Sequence, residues 1–302
     1  MTSCAKYFCV LSLAIFSAAC AGPGAANLRI AEGIMKSDDP DLPKVLFLAS
    51  GFEEKAFEPV VLSGYADSAL AKIYDALFRI SFFFPEHPRS ADLQAKILEE
   101  KLRRGQKSDS DIERLHRAYV GARRFPEAEA LGGRFPGLKY QYLPKISGSP
   151  AGGPFWLAYS ISPSAEEASL GVLPLARGAK VVMGMFPGCG ASEKAMEDIL
   201  ADPEMGAVFK AQGSLLTLRF DPRSMALWRD HFKFPQVHIA YKPSAFPGFD
   251  FDSSPNFYFL SDGKIAYAFT GWSNRKNPDF GRTEFFKGLS AISVSTAAAA
   301  SK

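Results

Sequence analysis

Apolar residues recur every three or four positions through the first half of the chain and give way to short continuous runs in the second. Leu70, Ile73, Leu77, Ile80 and Phe84 line one face of a helix, and Pro85 ends it. Ser90 is placed to cap a second helix with Leu93, Ile97 and Leu102 inward, closed by Gly105. Ser110 with Glu113 has the spacing of a capping box for a third, carrying Ile112, Leu115 and Tyr119. Pro126 suits the first turn of a fourth, which Gly132-Gly133 should stop. Leu115 to Leu138 reads as one helical hairpin of the tetratricopeptide type, with no second copy to make an array. The expected organisation is a linker over 22–53 and an all-helical region over 54–145.

The character changes at residues 143–154 (LPKISGSPAGGP), a linker composition. Beyond it, 150–292 reads as an α/β domain with a central mixed sheet flanked by helices. Phe155–Ile161 is a strand, and a helix begins over Ser164–Leu170. Lys180–Phe186 is a continuous apolar run, as in a buried parallel strand. Ser192–Leu200 is helical, Ser214–Phe220 a strand, Pro222–Phe232 a helix and Val237–Tyr241 a strand. Phe257–Leu260 and Ile265–Phe269 form a hairpin turned by Ser261-Asp262-Gly263. A closing helix covers Arg282 to Ile292, and 293–302 reads as a disordered tail.

The N-terminus adds a location. Lys6, the apolar run Tyr7–Phe16 and the small residues Ser17 to Ala21 describe a secretory signal peptide over 1–21. A lipoprotein signal that lipidates Cys20 is the alternative, although Ser17 stands where such signals favour Leu. The expected location is therefore periplasmic, soluble or lipid-anchored, with no membrane-spanning segment once the signal is removed. A net charge of +3 and the lack of basic runs with interleaved aromatics argue against nucleic acid as a partner.

Export makes the cysteines informative. Cys4, Cys9 and Cys20 lie in the signal, which leaves Cys189 as a single thiol in the mature chain. It sits in Phe186-Pro187-Gly188-Cys189-Gly190-Ala191-Ser192, between a buried strand and a helix. A helix start offers unpaired N–H groups and a favourable dipole to an anion, so this thiol should ionise readily, and the thiolate is the nucleophile. The residue expected to help is Ser192, whose hydroxyl can donate to the thiolate. His231 and His238 flank Pro235, but with one cysteine no metal or other cofactor is expected.

Strand, Pro-Gly-Cys-x-x and helix together resemble the active-site corner of the thioredoxin superfamily, with the second cysteine replaced by Ser192. The resemblance covers 155–292. It implies a cis-proline opposite Cys189, for which Pro235 and Pro255 compete. Pro235 is favoured, because Pro255 requires an insertion of about 20 residues against the short connections usual here. The resemblance also implies that Pro187, Gly188 and Gly190 help to form the binding surface.

A narrower resemblance rests on Phe155–Ser162, on Gly178–Met185 and on Leu218-Arg219-Phe220-Asp221-Pro222 through Val237. These segments are similar to the TrbC-type proteins of F-type conjugative pilus assembly, which usually have Arg-Gly where Met183-Gly184 stands. That likeness implies an exported accessory or assembly factor of an envelope machine, acting by partner binding. The alternative is a periplasmic monothiol thiol–disulfide oxidoreductase using Cys189. The partner is a protein in either case, bearing a thiol or disulfide in the second.

Overall fold

A computed structural model describes residues 23–37, 42–87, 89–149, 153, 155–273 and 277–293. The expectations for the signal peptide, Cys20 and the tail beyond Ser293 fall outside them. The chain divides into two compact units, 1–140 and 141–302.

The first unit is helical. Its helices are α1 (Pro23–Lys36), α2 (Leu42–Ala49), the short α3 (Pro59–Leu62), α4 (Asp67–Phe83), α5 (Ser90–Arg103), α6 (Asp109–Gly121) and α7 (Phe125–Arg134). The linker expected over 22–53 is thus corrected: it carries α1 and α2, and Ala31, Ile34, Val45 and Ala49 are buried. Their spacing of three and four residues is the helical period the linker reading passed over. The α4 stripe is as expected, with Leu70, Ile73, Leu77 and Ile80 buried.

The caps differ in detail. Arg89, not Ser90, is the N-cap of α5, and the Ser90 hydroxyl instead accepts from Ser81 at 3.0 Å. Ser108, not Ser110, caps α6 by accepting from the Asp111 N–H at 3.3 Å, while Glu113 accepts from the Lys139 N–H at 2.8 Å. Helix α7 runs through Gly132-Gly133 to Arg134, since flanking packing outweighs the roughly 1 kcal/mol that each glycine costs a helix.

A charged clamp fastens this unit. Arg104, just past α5, donates to the carbonyls of Leu62, Tyr65 and Ser63 at 2.8, 2.8 and 3.1 Å. It also pairs with Glu100 at 2.7 Å and with Asp67 at 2.6 Å. Orphan carbonyls at the end of α3 are thereby satisfied. The Glu100 carboxyl is buried and drawn down to about 2, first by the Arg103 guanidinium; burial opposes this, and Arg104 adds to it. Its folded value lies below its unfolded one, so its stabilisation is complete above the ordinary carboxylate range and is lost as pH falls towards 2. We expect Arg104→Ala to lower stability by about 1–3 kcal/mol, the usual worth of hydrogen bonds to a charged group. Thermal melts should show the loss at pH 7 and less of it near pH 2, where Glu100 of the parent is already partly protonated.

The second unit is a mixed sheet. Its strands are β1 (Lys145–Ser147), β2 (Leu157–Ile161), β3 (Glu167–Val172), β4 (Ala179–Gly184), β5 (Gly213–Thr217), β6 (Val237–Ala240), β7 (Asn256–Ser261) and β8 (Lys264–Thr270), in the order β1-β3-β2-β6-β5-β4-β7-β8. Helices α8 (Gly190–Ala201) and α9 (Pro203–Gln212) join β4 to β5, α10 (Pro222–Phe232) joins β5 to β6, and α11 (Phe280–Ala291) closes the chain. Strands β4, β5 and β6 are parallel, β7 returns antiparallel to β4, and β8 is antiparallel to β7. The run β4-helix-β5-helix, then the β7–β8 hairpin and a last helix, with strands ordered β5-β4-β7-β8, is the thioredoxin-like arrangement.

The helix expected from Ser164 is corrected to a turn and strand β3. Ala165 takes a positive φ of 60°, and burial then alternates, with Ala168 and Leu170 in and Glu167 and Ser169 out. That two-residue period belongs to a strand.

Successive β7 side chains point to opposite faces of the sheet. Phe257 and Phe259 meet Phe285 of α11 at centroid distances of 6.0 and 5.2 Å, and Phe209 of α9 joins them at 6.4 Å. Between them, Tyr258 stacks on Phe249 at 3.9 Å, in the segment 241–255 that joins β6 to β7. Both faces are therefore covered where β4 delivers Cys189. The backbone of α11 comes close to the Phe259 ring at Gly288, where a Cβ would clash with the ring carbons, so the helix packs tightly on the side chains of β7.

Candidate functional site

The site begins with how β4 ends. The Cys189 N–H donates to the Phe186 carbonyl at 3.0 Å, and Gly188 has a φ of +83°. This is a four-residue turn with Pro187 and Gly188 at its centre. Proline pre-sets the first central residue, and glycine is the residue that accepts the left-handed second one at no steric cost. The sequence Pro-Gly-Cys therefore turns the chain sharply and leaves Cys189 at the N-cap of α8. Its carbonyl receives the first helical bonds, from Ser192 at 2.9 Å and Glu193 at 3.0 Å.

Cys189 is a free, half-buried thiol. Burial taken alone would raise its pKa. The Ser192 N–H, the hydroxyls of Ser192 and Ser254 and the Ala191 N–H outweigh burial, and the net shift is downward. The physical cause is hydrogen bonding to the charged form. Across the turn, Cys189 Sγ lies 3.8 Å from the Ser254 carbonyl oxygen, to which the thiol donates.

The Ser254–Pro255 peptide is cis. Pro255 is buried, and Asn256, which follows it, pairs with Gly184, the last residue of β4. The register thus sets Pro255 beside the strand end that carries the cysteine. Pro235, the favoured candidate, is corrected: it is exposed and no cis bond is found there. It leads into β6, whose Val237 pairs with Leu215, so Pro235 sits towards the amino ends of the parallel strands, away from their carboxyl ends where Cys189 lies. Strand β6 and the segment 241–255 are the insertion that made Pro255 look remote.

Of the residues singled out by sequence, Pro187, Gly188, Cys189, Gly190, Ser192 and Pro255 come together and Pro235 does not. Gly190 is exposed at the first helical position, with open space around it. Ser192 is fully buried. Its Oγ lies 2.7 Å from Ser254 Oγ, which accepts from the Phe186 N–H at 3.0 Å. Ser254 was missed, though its place before a candidate cis-proline was a signal. Helix α8 is held from its far end, where Trp272 Nε1 donates to Asp198 at 2.8 Å.

Among the described residues no group of three or more His, Cys, Asp and Glu is placed to hold a metal. His238 is buried, with Nδ1 3.3 Å from Ser160 Oγ, and burial pushes its pKa down to about 4. His231 is exposed and packs its ring edge-on against Phe232 at 4.6 Å.

The turn yields a prediction. Gly188→Val should strain the left-handed position by about 1–2 kcal/mol and shift Cys189 off the helix axis. Slower alkylation of Cys189 at neutral pH, with only a small fall in melting temperature, is the expected result.

No protein-family model matches the chain, and no curated protein sequence matches it. Among solved structures, the chain is similar to a thioredoxin-like protein from Bacteroides caccae, with 12% identity and a TM-score of 0.29 over 88% of this chain and 92% of that one.

Proposed function

We propose that the C-terminal unit carries out thiol–disulfide exchange with a single cysteine. The observation that carries this reading is the surroundings of Cys189: a half-exposed sulfur at a helix start, with two N–H groups and two hydroxyls favouring its ionised form. The Cys189 thiolate attacks one sulfur of a partner disulfide, forms the mixed disulfide and expels the other partner sulfur as a thiolate. Ser192 cannot supply the second thiol that would clear this intermediate. An outside thiolate therefore attacks the mixed disulfide and releases Cys189. The intermediate should consequently be long-lived.

The N-terminal signal pattern supports an exported, periplasmic setting, where partner disulfides persist. A second reading is favoured by Ser192 itself. With no resolving thiol, the corner also suits a partner-binding accessory factor, and the likeness of 155–162, 178–185 and 218–237 to pilus-assembly proteins supports an envelope machine, a conjugative pilus in particular.

The test is capture from cells, with thiols alkylated on lysis and mixed disulfides resolved on non-reducing gels. A species that carries Cys189 and disappears on reduction supports exchange. Its absence, together with full cellular function of Cys189→Ala, would overturn exchange in favour of the binding factor.

A further inference from the structure

The segment 241–255, between β6 and β7, carries a ladder of aromatic rings. Its base is buried: Trp156 and Phe246 meet edge to face at 5.7 Å, and Tyr258 of β7 stacks on Phe249 at 3.9 Å. Phe249 also meets Trp156 at 5.8 Å and Phe246 at 5.5 Å. Phe251 ends the ladder, half-buried, at 6.0 Å from Phe246 and 6.2 Å from Phe249. A ring held this way is already ordered, so an incoming apolar side chain meets a rigid surface that loses little entropy on contact.

Phe251 stands three peptide steps before Ser254, whose carbonyl oxygen lies 3.8 Å from Cys189 Sγ. Those steps span at most about 11 Å between α-carbons, the length of about three residues of an extended partner. Carboxylates flank the ring. Asp250 and Asp252 are both exposed, and Asp250 Oδ1 accepts from the Asp252 N–H at 2.7 Å, which keeps the two acids on one tip. Neither is paired with a cation among the described residues. Lys194 of α8 is held by Asp198 at 2.5 Å, and Lys242 lies over the Tyr241 ring at 5.2 Å.

We infer that Asp250-Phe251-Asp252 selects the partner of Cys189, favouring disulfides whose cysteine is flanked by an aromatic and a basic residue. The inference rests on the exchange reading proposed above. A partner held through its sulfur brings the residues two or three positions from its cysteine within reach of this tip. An aromatic side chain gains from packing on the Phe251 ring. A basic one gains from the two carboxylates and from the ring face. Segment 241–255 is an addition to the thioredoxin-like arrangement, so the selection belongs to what this chain has inserted.

The experiment follows mixed-disulfide formation between the full chain and three symmetric peptide disulfides, with adducts mapped to the peptide carrying residue 189. The first peptide has a central cysteine, phenylalanine two positions away on each side and lysine at both ends. Serine replaces phenylalanine in the second, and glutamate replaces lysine in the third. In each case the Cys189 thiolate bonds to one peptide sulfur and the other leaves as the peptide thiolate. Rates are divided by those of glutathione with the same peptide, which removes differences in intrinsic reactivity. The first peptide should react about fivefold faster than either of the others. Phe251→Ala should remove the preference over the serine peptide, and Phe251→Leu, which keeps an apolar surface and the fold, should retain part of it. Asp252→Asn should reduce the preference over the glutamate peptide, as should about 0.5 M salt acting on the parent. Equal corrected rates for the three peptides, or preferences that persist in Phe251→Ala and Asp252→Asn, would overturn the selection and leave exchange standing. No adduct with any peptide would overturn the exchange reading and the selection with it.

Discussion

In a chain that begins after residue 21, Cys189→Ala should abolish every thiol adduct, because Cys4, Cys9 and Cys20 precede that point. A small aromatic disulfide such as 5,5′-dithiobis(2-nitrobenzoate) should release one equivalent of coloured thiolate from the parent and none from the variant. The expected size of the effect follows from the chemistry: no other sulfur nucleophile is present among the described residues. The fold should be untouched, because the side chain is half-exposed at a helix cap and contributes little packing. A melting temperature within a few degrees of the parent, measured by circular dichroism, would separate lost chemistry from lost structure. A persistent adduct in the variant would move the reactive group elsewhere.

Phe285→Ala should produce the largest loss of stability. Phe285 is fully buried and touches Phe257 and Phe259 of β7 and Phe209 of α9. Truncating such a side chain removes its transfer free energy and leaves a cavity, together worth about 3–5 kcal/mol. Close packing by Gly288 against Phe259 limits how far α11 can sink to fill it. All the tryptophans, Trp156, Trp228 and Trp272, lie in the second unit, so urea unfolding followed by tryptophan fluorescence reports this unit by itself. A midpoint displaced by the equivalent of less than about 1 kcal/mol would mean that the cavity collapses, contrary to the packing described.

What the sequence disclosed divides along physical lines. Helix α4 was legible because Leu70, Ile73, Leu77 and Ile80 repeat with a period that no strand supports. The β4–turn–α8 corner was legible because Pro187 and Gly188 have backbone preferences strong enough to act locally. The β7–β8 hairpin was legible from Asp262-Gly263 for the same reason, with both residues at positive φ.

What failed was decided by distant partners. Strand β3 was read as a helix because Glu166, Glu167 and Ala168 suit helices in isolation; its pairing with β2 from Leu157↔Val172 to Ile161↔Ala168 overrode that preference. The choice between Pro235 and Pro255 turned on register, and only the pairing of Asn256 with Gly184 fixes it. Ser254 was hidden likewise: it is separated from Cys189 by 65 residues, and its one local signal, the place before Pro255, depended on choosing the right proline.

The most direct test is the rate at which the intact chain at pH 7 reacts with that same aromatic disulfide, compared with a free thiol such as glutathione. The structure requires native Cys189 to react faster than the free thiol, with the mixed disulfide mapped to the peptide carrying residue 189 and the advantage lost in urea. Reaction at or below the free-thiol rate in the folded chain, rising on denaturation, would show a masked sulfur and contradict the site described.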